Sequence, residues 1–325
     1  MIDTLDTLDT IVEFEFLRAT ESAAIAAGRL VGRGDKNAID GAAVQAMRTS
    51  LATAHVGGTV VIGEGEKDDA PMLYHGERIG NGEGAQLDVA VDPIDGTTLA
   101  SKGGSGAISV IAAADRGSLF HTRVPYMEKI VVGPRARGCV SLDVDPATNV
   151  LAVAHAMKRH VSEITVALLD RPRNAAILES VRSAGARIRL FTDGDVMTAI
   201  IAVLEDRGRL DLLMGIGGAP EGVVTACAVR ALGGDMEGRL WLRDAEDQAI
   251  ARSEDINVAA VLSLDELCRS KRTLLVATGV TDGELLEGVR YVGKLAHTQS
   301  FLVSSLSRSI RRVETTHNVG PEANS

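Results

Sequence analysis

The sequence predicts a layered α/β protein, and three observations carry that prediction. Of its residues 45% are hydrophobic but only 3% aromatic. The core must therefore be built from Ala, Val, Ile and Leu, which suits close packing of helices on sheets. From about residue 150 onward, helix-like and strand-like segments alternate, the pattern of a layered α/β domain. Polar turns follow directly on apolar runs, which is where open α/β sheets bind their ligands.

Taken in order, residues ~8–54 read as two helices, broken by Gly32-Arg33-Gly34-Asp35-Lys36-Asn37, which holds two glycines and a helix cap. Strand-like runs follow at ~58–62, 87–91, 107–113 and 129–133. Gly80-Asn81-Gly82-Glu83-Gly84 is a loop between strands. Then come helix 149–159, strand 164–169, helix 173–184, strand 187–191, helix 196–204, strand 211–214 and helix 221–232. The last ~90 residues alternate more loosely, with strands at 273–277, 300–305 and 309–313, and a polar tail from Glu314 to Ser325 is expected to fray. This organisation divides into an N-terminal α/β domain, 1–158, and a C-terminal α/β domain, 159–325.

Composition excludes several function classes. A net charge of −10 argues against binding nucleic-acid phosphates. No apolar run approaches the ~20 residues that span a bilayer, and the first residues are acidic rather than basic, so no membrane or export role is expected. Cys139, Cys227 and Cys268 are an odd set without metal-ligand spacing, which points to a reducing cytoplasm, with Cys227 in the core. The seven histidines are scattered, and no zinc spacing, esterase elbow or P-loop is present.

Two turns carry the chemistry. Gly63-Glu64-Gly65-Glu66 follows the run Thr59 to Ile62, and Asp92-Pro93-Ile94-Asp95-Gly96-Thr97-Thr98 follows Leu87 to Val91. Clustered carboxylates at strand ends repel one another unless a cation sits between them, and hard divalent cations such as Mg2+ or Mn2+ take oxygen ligands of this kind. Proline fixes one backbone angle and Gly96 permits a sharp turn. Further along, Gly217-Gly218-Ala219-Pro220-Glu221-Gly222 opens a helix. It fits ordinary helix initiation, or an anion at the helix N-terminus with Glu221 as a metal ligand. Arg171 and Arg173 fit surface charge or a phosphate clamp. Asp193 and Asp195 fit turn and cap residues or a grip on sugar hydroxyls.

These motifs together resemble a known family. Asp92-Pro93-Ile94-Asp95-Gly96-Thr97 looks like the signature of the lithium-sensitive, metal-dependent sugar and inositol phosphatases. The surroundings narrow the resemblance to the bacterial class II fructose-1,6-bisphosphatases. They are Gly32 to Asn37 with Asp40 to Val44, Val61 to Glu66, Ala70 to Tyr74, Thr192 to Val196 and Gly215 to Gly222. Aspartate at position 95 resembles the actinobacterial branch; enterobacterial members carry glutamate there. The resemblance implies an αβαβα sandwich of the sugar phosphatase type and hydrolysis of the 1-phosphate of fructose 1,6-bisphosphate. It implies that Asp40, Glu64, Asp92, Asp95 and Glu221 hold Mg2+ or Mn2+. Thr97, with Asp95 and Asp40, would be catalytic, Thr97 orienting the attacking water. Lys36, Asp95, Gly96, Thr97, Tyr126, Arg171, Arg173, Asp193, Asp195 and Gly218 would bind the substrate. A cytoplasmic homo-oligomer, dimer or tetramer, completes the expectation.

The chemistry of the residues agrees with that implication. A phosphate monoester is dianionic and repels nucleophiles, and cations on its oxygens neutralise developing charge and acidify water. Thr97 can accept a hydrogen bond from water while its own proton goes to a carboxylate. Two other readings compete: a dual phosphatase that also cleaves sedoheptulose 1,7-bisphosphate, and a catalytically silent sugar-phosphate binder. An inositol monophosphatase fits less of the chain.

Overall fold

A computed structural model of the protein describes residues 4–63, 73–204 and 210–320, with side chains from residue 11 onward. The chain forms two compact units. The first takes Met1–Gly117 and Leu274–Ser325, the second Ser118–Thr273. This division differs from the single cut expected after residue 158. The reason is a long-range return of the chain: the last strands join the first sheet, so residues 118–273 form an insert.

The first unit opens with helices α1 (Thr4–Gly28) and α2 (Lys36–Leu51). The expected break between them ends at Asp35, whose carboxylate accepts from the backbone N–H of Ala38 at 3.0 Å and so caps α2. Strands β1 (Val56–Ile62), β2 (Arg78–Ile79) and β3 (Ala85–Asp95) follow, then helix α3 (Thr97–Lys102) and strand β4 (Ile108–Asp115). After the insert come β11 (Thr273–Gly279), β12 (Arg290–Val292), β13 (Leu295–Ser304) and β14 (Ser309–Asn318). Among the described residues these make one eight-stranded mixed sheet, with β1 parallel to β3 and β4 antiparallel to it. Val89, Val91, Ile111, Ala113, Val276 and Leu302 bury one face of this sheet together with Phe16, Ala23, Ile39 and Met47 of the two helices. The tail expected to fray from Glu314 is instead paired as far as Asn318, because β14 runs antiparallel along the whole of β13.

The second unit holds β5 (Tyr126–Val132), α4 (Pro146–Met157), β6 (Thr165–Leu169), α5 (Ala175–Ser183), β7 (Arg187–Phe191), α6 (Val196–Val203), β8 (Leu212–Gly218), α7 (Ala219–Leu232), β9 (Asp235–Leu240), α8 (Ala245–Ser253), β10 (Leu262–Ser263) and α9 (Leu264–Leu267). Its six-stranded sheet has the order β10-β9-β5-β8-β6-β7 among the described residues. The strands β7, β6 and β8 are parallel, and β5 is antiparallel to β8. Even-numbered residues of β5, Ile130 and Val132, pack with Val150 and Val153 of α4 and Val181 of α5. Side chains alternate along a strand, so Lys129 points to the other face, where it meets the start of α6. The alternation predicted for this half is therefore present, each unit being a mixed sheet covered by helices. Cys227 is buried in α7 as expected, and its thiol meets that of Cys268.

Candidate active site

The acidic turn of the first unit is built by a break in strand phase. β3 pairs with β4 in continuous register to Asp92↔Val110, then resumes at Asp95↔Ile108 with one extra residue on β3. Side chains three apart on a regular strand would face opposite ways. The bulge cancels one step, so Ile94 returns to the helix-covered core and Asp92 and Asp95 share the opposite face. Pro93 sits inside the bulge, where a missing N–H breaks no ladder bond. The Asp92 carboxylate accepts from the backbone N–H of Ile94 at 3.0 Å, which tightens the turn. A carboxylate oxygen of Asp92 and one of Asp95 lie within 4.8 Å of each other, and Asp95 is buried.

Gly96 then takes φ +93°, a left-handed conformation that disfavours any side chain, and α3 starts at once with Thr97. The Thr97 hydroxyl lies 2.9 Å from Asp40 Oδ1 on α2 and 3.0 Å from the carbonyl oxygen of Ile94. Lys36, in the first turn of α2, donates to the Thr98 hydroxyl at 2.7 Å. The packing of α2 beside α3 thus brings Lys36 and Asp40 to the turn that holds Asp92, Asp95, Gly96 and Thr97. Glu64 lies outside the described residues; β1, which precedes it, runs parallel to β3.

In the second unit the expected residues sit at the carboxyl ends of β6, β7 and β8 and at the start of β5, the ligand end of a parallel sheet. Tyr126 is in register with Gly218. The Arg173 guanidinium stacks over the Tyr126 ring, 4.6 Å from its centroid, and donates through Nε to the Ile216 carbonyl at 3.0 Å. Burial pushes its pKa down, while the Tyr126, Asp195 and Glu221 side chains oppose that shift. Arg171 reaches Asp193 at 3.7 Å. Asp193 and Asp195 follow β7, with Asp195 buried at the start of α6. Surface charge is therefore a poor description of Arg173; the Arg171 side chain is one-third exposed.

Glu221 lies in the first turn of α7, half-buried, and its carboxylate folds back over Gly218 so closely that a Cβ there would overlap it. Burial first, and then the Asp195 carboxylate, push its pKa up, with Lys129 pulling the other way. One of its oxygens, Oε2, is buried without a hydrogen-bond partner. An enclosed carboxylate oxygen left in that state is costly, and a hard cation is a partner of the chemistry it lacks. The carboxylates that the first unit gathers, Asp40, Asp92 and Asp95, are oxygen donors of the kind that suits a hard divalent cation.

Sequence reasoning missed Lys129, Asn174 and Arg243. Lys129 is buried on β5; its signal was a charged residue at an inward position of a strand otherwise rich in Val and Ile. Asn174 is buried, accepting from the Ile216 N–H at 2.7 Å and donating to the Leu169 carbonyl at 2.9 Å, and so ties the ends of β6 and β8 together. Arg243 lies 5.1 Å from the Tyr126 ring centroid and is held by the buried Asp247 through two hydrogen bonds; nothing in its sequence neighbourhood marked it.

With this geometry in view, comparison with known proteins is decisive about kinship. Residues 10–317 match the model of the family described as bacterial fructose-1,6-bisphosphatase, glpX-encoded. Fructose-1,6-bisphosphatase 1 class 2 of Escherichia coli K12 is 45% identical over 316 residues, covering 93% of this chain and 94% of that protein. Fructose-1,6-bisphosphatases class 2 of Escherichia coli O6:H1 and of Shigella flexneri align with the same identity and coverage. Among the described residues no helix is long and apolar enough to cross a membrane. The chain belongs to the bacterial fructose-1,6-bisphosphatase family.

Proposed function

We propose that this chain is a metal-dependent phosphoric monoester hydrolase that removes the 1-phosphate of fructose 1,6-bisphosphate, giving fructose 6-phosphate and phosphate, a step of gluconeogenesis. The observation that carries this reading is the family match across residues 10–317. It favours neither the dual bisphosphatase nor the silent binder raised from the sequence.

Asp40, Glu64, Asp92, Asp95 and Glu221 are the residues that would hold the cation, Mg2+ or Mn2+. When bound, it supplies charge neutralisation on the phosphoryl oxygens and a more acidic attacking water. The chain's own part is positional. The Thr97 hydroxyl has one proton and two nearby acceptors, and a carboxylate is the stronger, so the proton goes to Asp40 Oδ1. The Thr97 lone pairs are then turned to accept from the attacking water and fix its line of approach. Arg171, Arg173 and Tyr126 bind the phosphate that is not cleaved, Asp193 and Asp195 take sugar hydroxyls, and Lys36, Gly96 and Gly218 complete the substrate contacts. Guanidinium forks match phosphate oxygens in pairs, so binding energy far from the scissile bond favours bisphosphates. The same proposal places the enzyme in the cytoplasm as a homo-oligomer, dimer or tetramer, sensitive to lithium.

The test is phosphate release from a panel: fructose 1,6-bisphosphate, fructose 1-phosphate, sedoheptulose 1,7-bisphosphate and inositol 1-phosphate, each with Mg2+ and with Mn2+. The proposal expects fructose 1,6-bisphosphate to have the highest kcat/KM. Preference for either monophosphate overturns it.

A further inference from the structure

The second unit encloses an ion pair between Lys129 and Asp195. Lys129 is 1% exposed, and its ammonium donates to Asp195 Oδ2 at 2.7 Å and to the Gly218 carbonyl at 2.9 Å. Buried salt bridges are weak contributors to stability, because desolvation offsets the attraction, and apolar replacements of equal volume are often as stable. Such a pair therefore calls for another explanation.

Asp195 supplies it. This residue occupies the cap position of α6, where an aspartate normally accepts from the backbone N–H groups of the first turn. Here it makes no such bond. One oxygen is committed to Lys129, and the other, Oδ1, is buried with no hydrogen-bond partner. Leaving a buried acceptor empty is unfavourable, and the backbone of Asp195, at φ −110° and ψ −13°, is not the extended one from which a cap side chain reaches the first-turn N–H groups. The backbone is shaped to permit this: a Cβ on Gly217 would overlap Asp195 Oδ2 and crowd the end of Lys129. The carboxylate is thus wedged between an ammonium and a bare glycine.

We propose that Lys129 is a positioning residue for substrate selection, holding Asp195 off its helix so that Asp195 Oδ1 accepts a hydroxyl of the sugar. The proposal rests on the reading that Asp195 contacts a sugar phosphate. Lys129 itself touches no substrate. It also fixes the Gly218 carbonyl, so a single ammonium sets both the cap of α6 and the N-terminal residue before α7.

The experiment uses the full chain with saturating Mn2+ and compares wild type, Lys129→Met, Lys129→Gln, Gly217→Ala, Asp195→Asn and the double variant Lys129→Met with Asp195→Asn. Wild-type turnover of fructose 1,6-bisphosphate tests the parent reading by itself. For Lys129→Met the expected result is a KM raised about tenfold or more, the loss of one charge-assisted hydrogen bond, with a smaller change in kcat. Lys129→Gln keeps a donor and should lie between Met and wild type. Gly217→Ala displaces Asp195 without removing a charge and should also raise KM, which keeps the test open should Lys129→Met fail to fold. Because Lys129 acts through Asp195, adding Lys129→Met to Asp195→Asn should cost little further. A purely structural lysine would lower the melting temperature of every Lys129 variant and leave KM unchanged. Wild-type KM in folded Lys129→Met or Gly217→Ala, or fully multiplicative losses in the double variant, would overturn the proposal.

Discussion

Replacing Thr97 by alanine separates catalysis from binding more cleanly than any other single change at this site. The hydroxyl lies 2.9 Å from Asp40 Oδ1 and 3.0 Å from the Ile94 carbonyl, and it can donate to only one of them. Alanine removes that donor and the lone pairs that the proposed role turns toward the attacking water. A hydrogen bond to a charged group contributes about 1.5–3 kcal/mol, a factor of roughly 10–150 in rate. Loss of a positioned proton-transfer group falls in the range of about 10²–10⁴. The expectation is a kcat lowered about 100-fold or more, with KM for fructose 1,6-bisphosphate and affinity for Mn2+ within about threefold of wild type, the pattern of an interaction made in the transition state. Thr97→Ser keeps the hydroxyl and should retain most activity. Thr97 is part-buried in the first turn of the short α3, so the stability cost of alanine should be about 1 kcal/mol. The assay couples fructose 6-phosphate to a dehydrogenase and reads melting temperature in parallel. If the hydroxyl merely satisfied the Ile94 carbonyl, alanine would lower the melting temperature and spare turnover. Near-wild-type kcat in a folded Thr97→Ala enzyme would refute the role given to this residue.

Arg173→Ala should raise KM for the bisphosphate by about tenfold or more with little change in kcat, and Arg173→Lys should fail to restore it, because only a planar guanidinium both stacks on Tyr126 and forks to phosphate; unchanged KM in both would make Arg173 a scaffold residue. Glu221, half-buried with one oxygen enclosed, has its pKa raised above the ordinary 4.5 by desolvation first. Its contribution to stability is therefore full below that value and lost as pH rises through the folded value. Without metal, the melting temperature of wild type should fall relative to that of Glu221→Gln as pH rises above about 4.5, and parallel curves would show that burial does not strain this carboxylate. Gly218→Ala places a Cβ where the Glu221 carboxylate lies, so Mn2+ affinity by calorimetry should fall by about tenfold or more; wild-type affinity would mean that Glu221 does not ligate from this conformation.

Local chemistry was readable in the sequence where it depends on neighbours in the chain. The turn at Asp92 to Thr98, the cap at Asp35 and the glycine-rich start of α7 all announce themselves through residue types whose backbone preferences are short-range. What stayed hidden depends on partners far away. The bulge that puts Asp92 and Asp95 on one face exists only in the register with β4; proline marks the place but not the phase. Lys129 reads as an oddity on a strand until α6 brings Asp195 to it. Asp195 reads as a helix cap, and only the absence of the capping bond shows otherwise. The paired tail and the inserted second unit have one cause. Strand pairing of β11 to β14 with the first sheet is a long-range choice, and a polar strand such as Ser309–Asn318, exposed along much of its length, leaves little hydrophobic pattern to reveal it.

The central claim is that carboxylates of this chain hold a divalent cation for cleavage at carbon 1 of fructose 1,6-bisphosphate. The most direct measurement follows product identity and metal dependence together: purified protein stripped with chelator, given fructose 1,6-bisphosphate, then Mn2+, with phosphate and fructose 6-phosphate quantified separately. The account predicts no product before the metal, equal amounts of phosphate and fructose 6-phosphate after it, and loss of both in Asp92→Asn at the same Mn2+ concentration. Turnover that survives exhaustive chelation, or fructose 1-phosphate as the product, would contradict it.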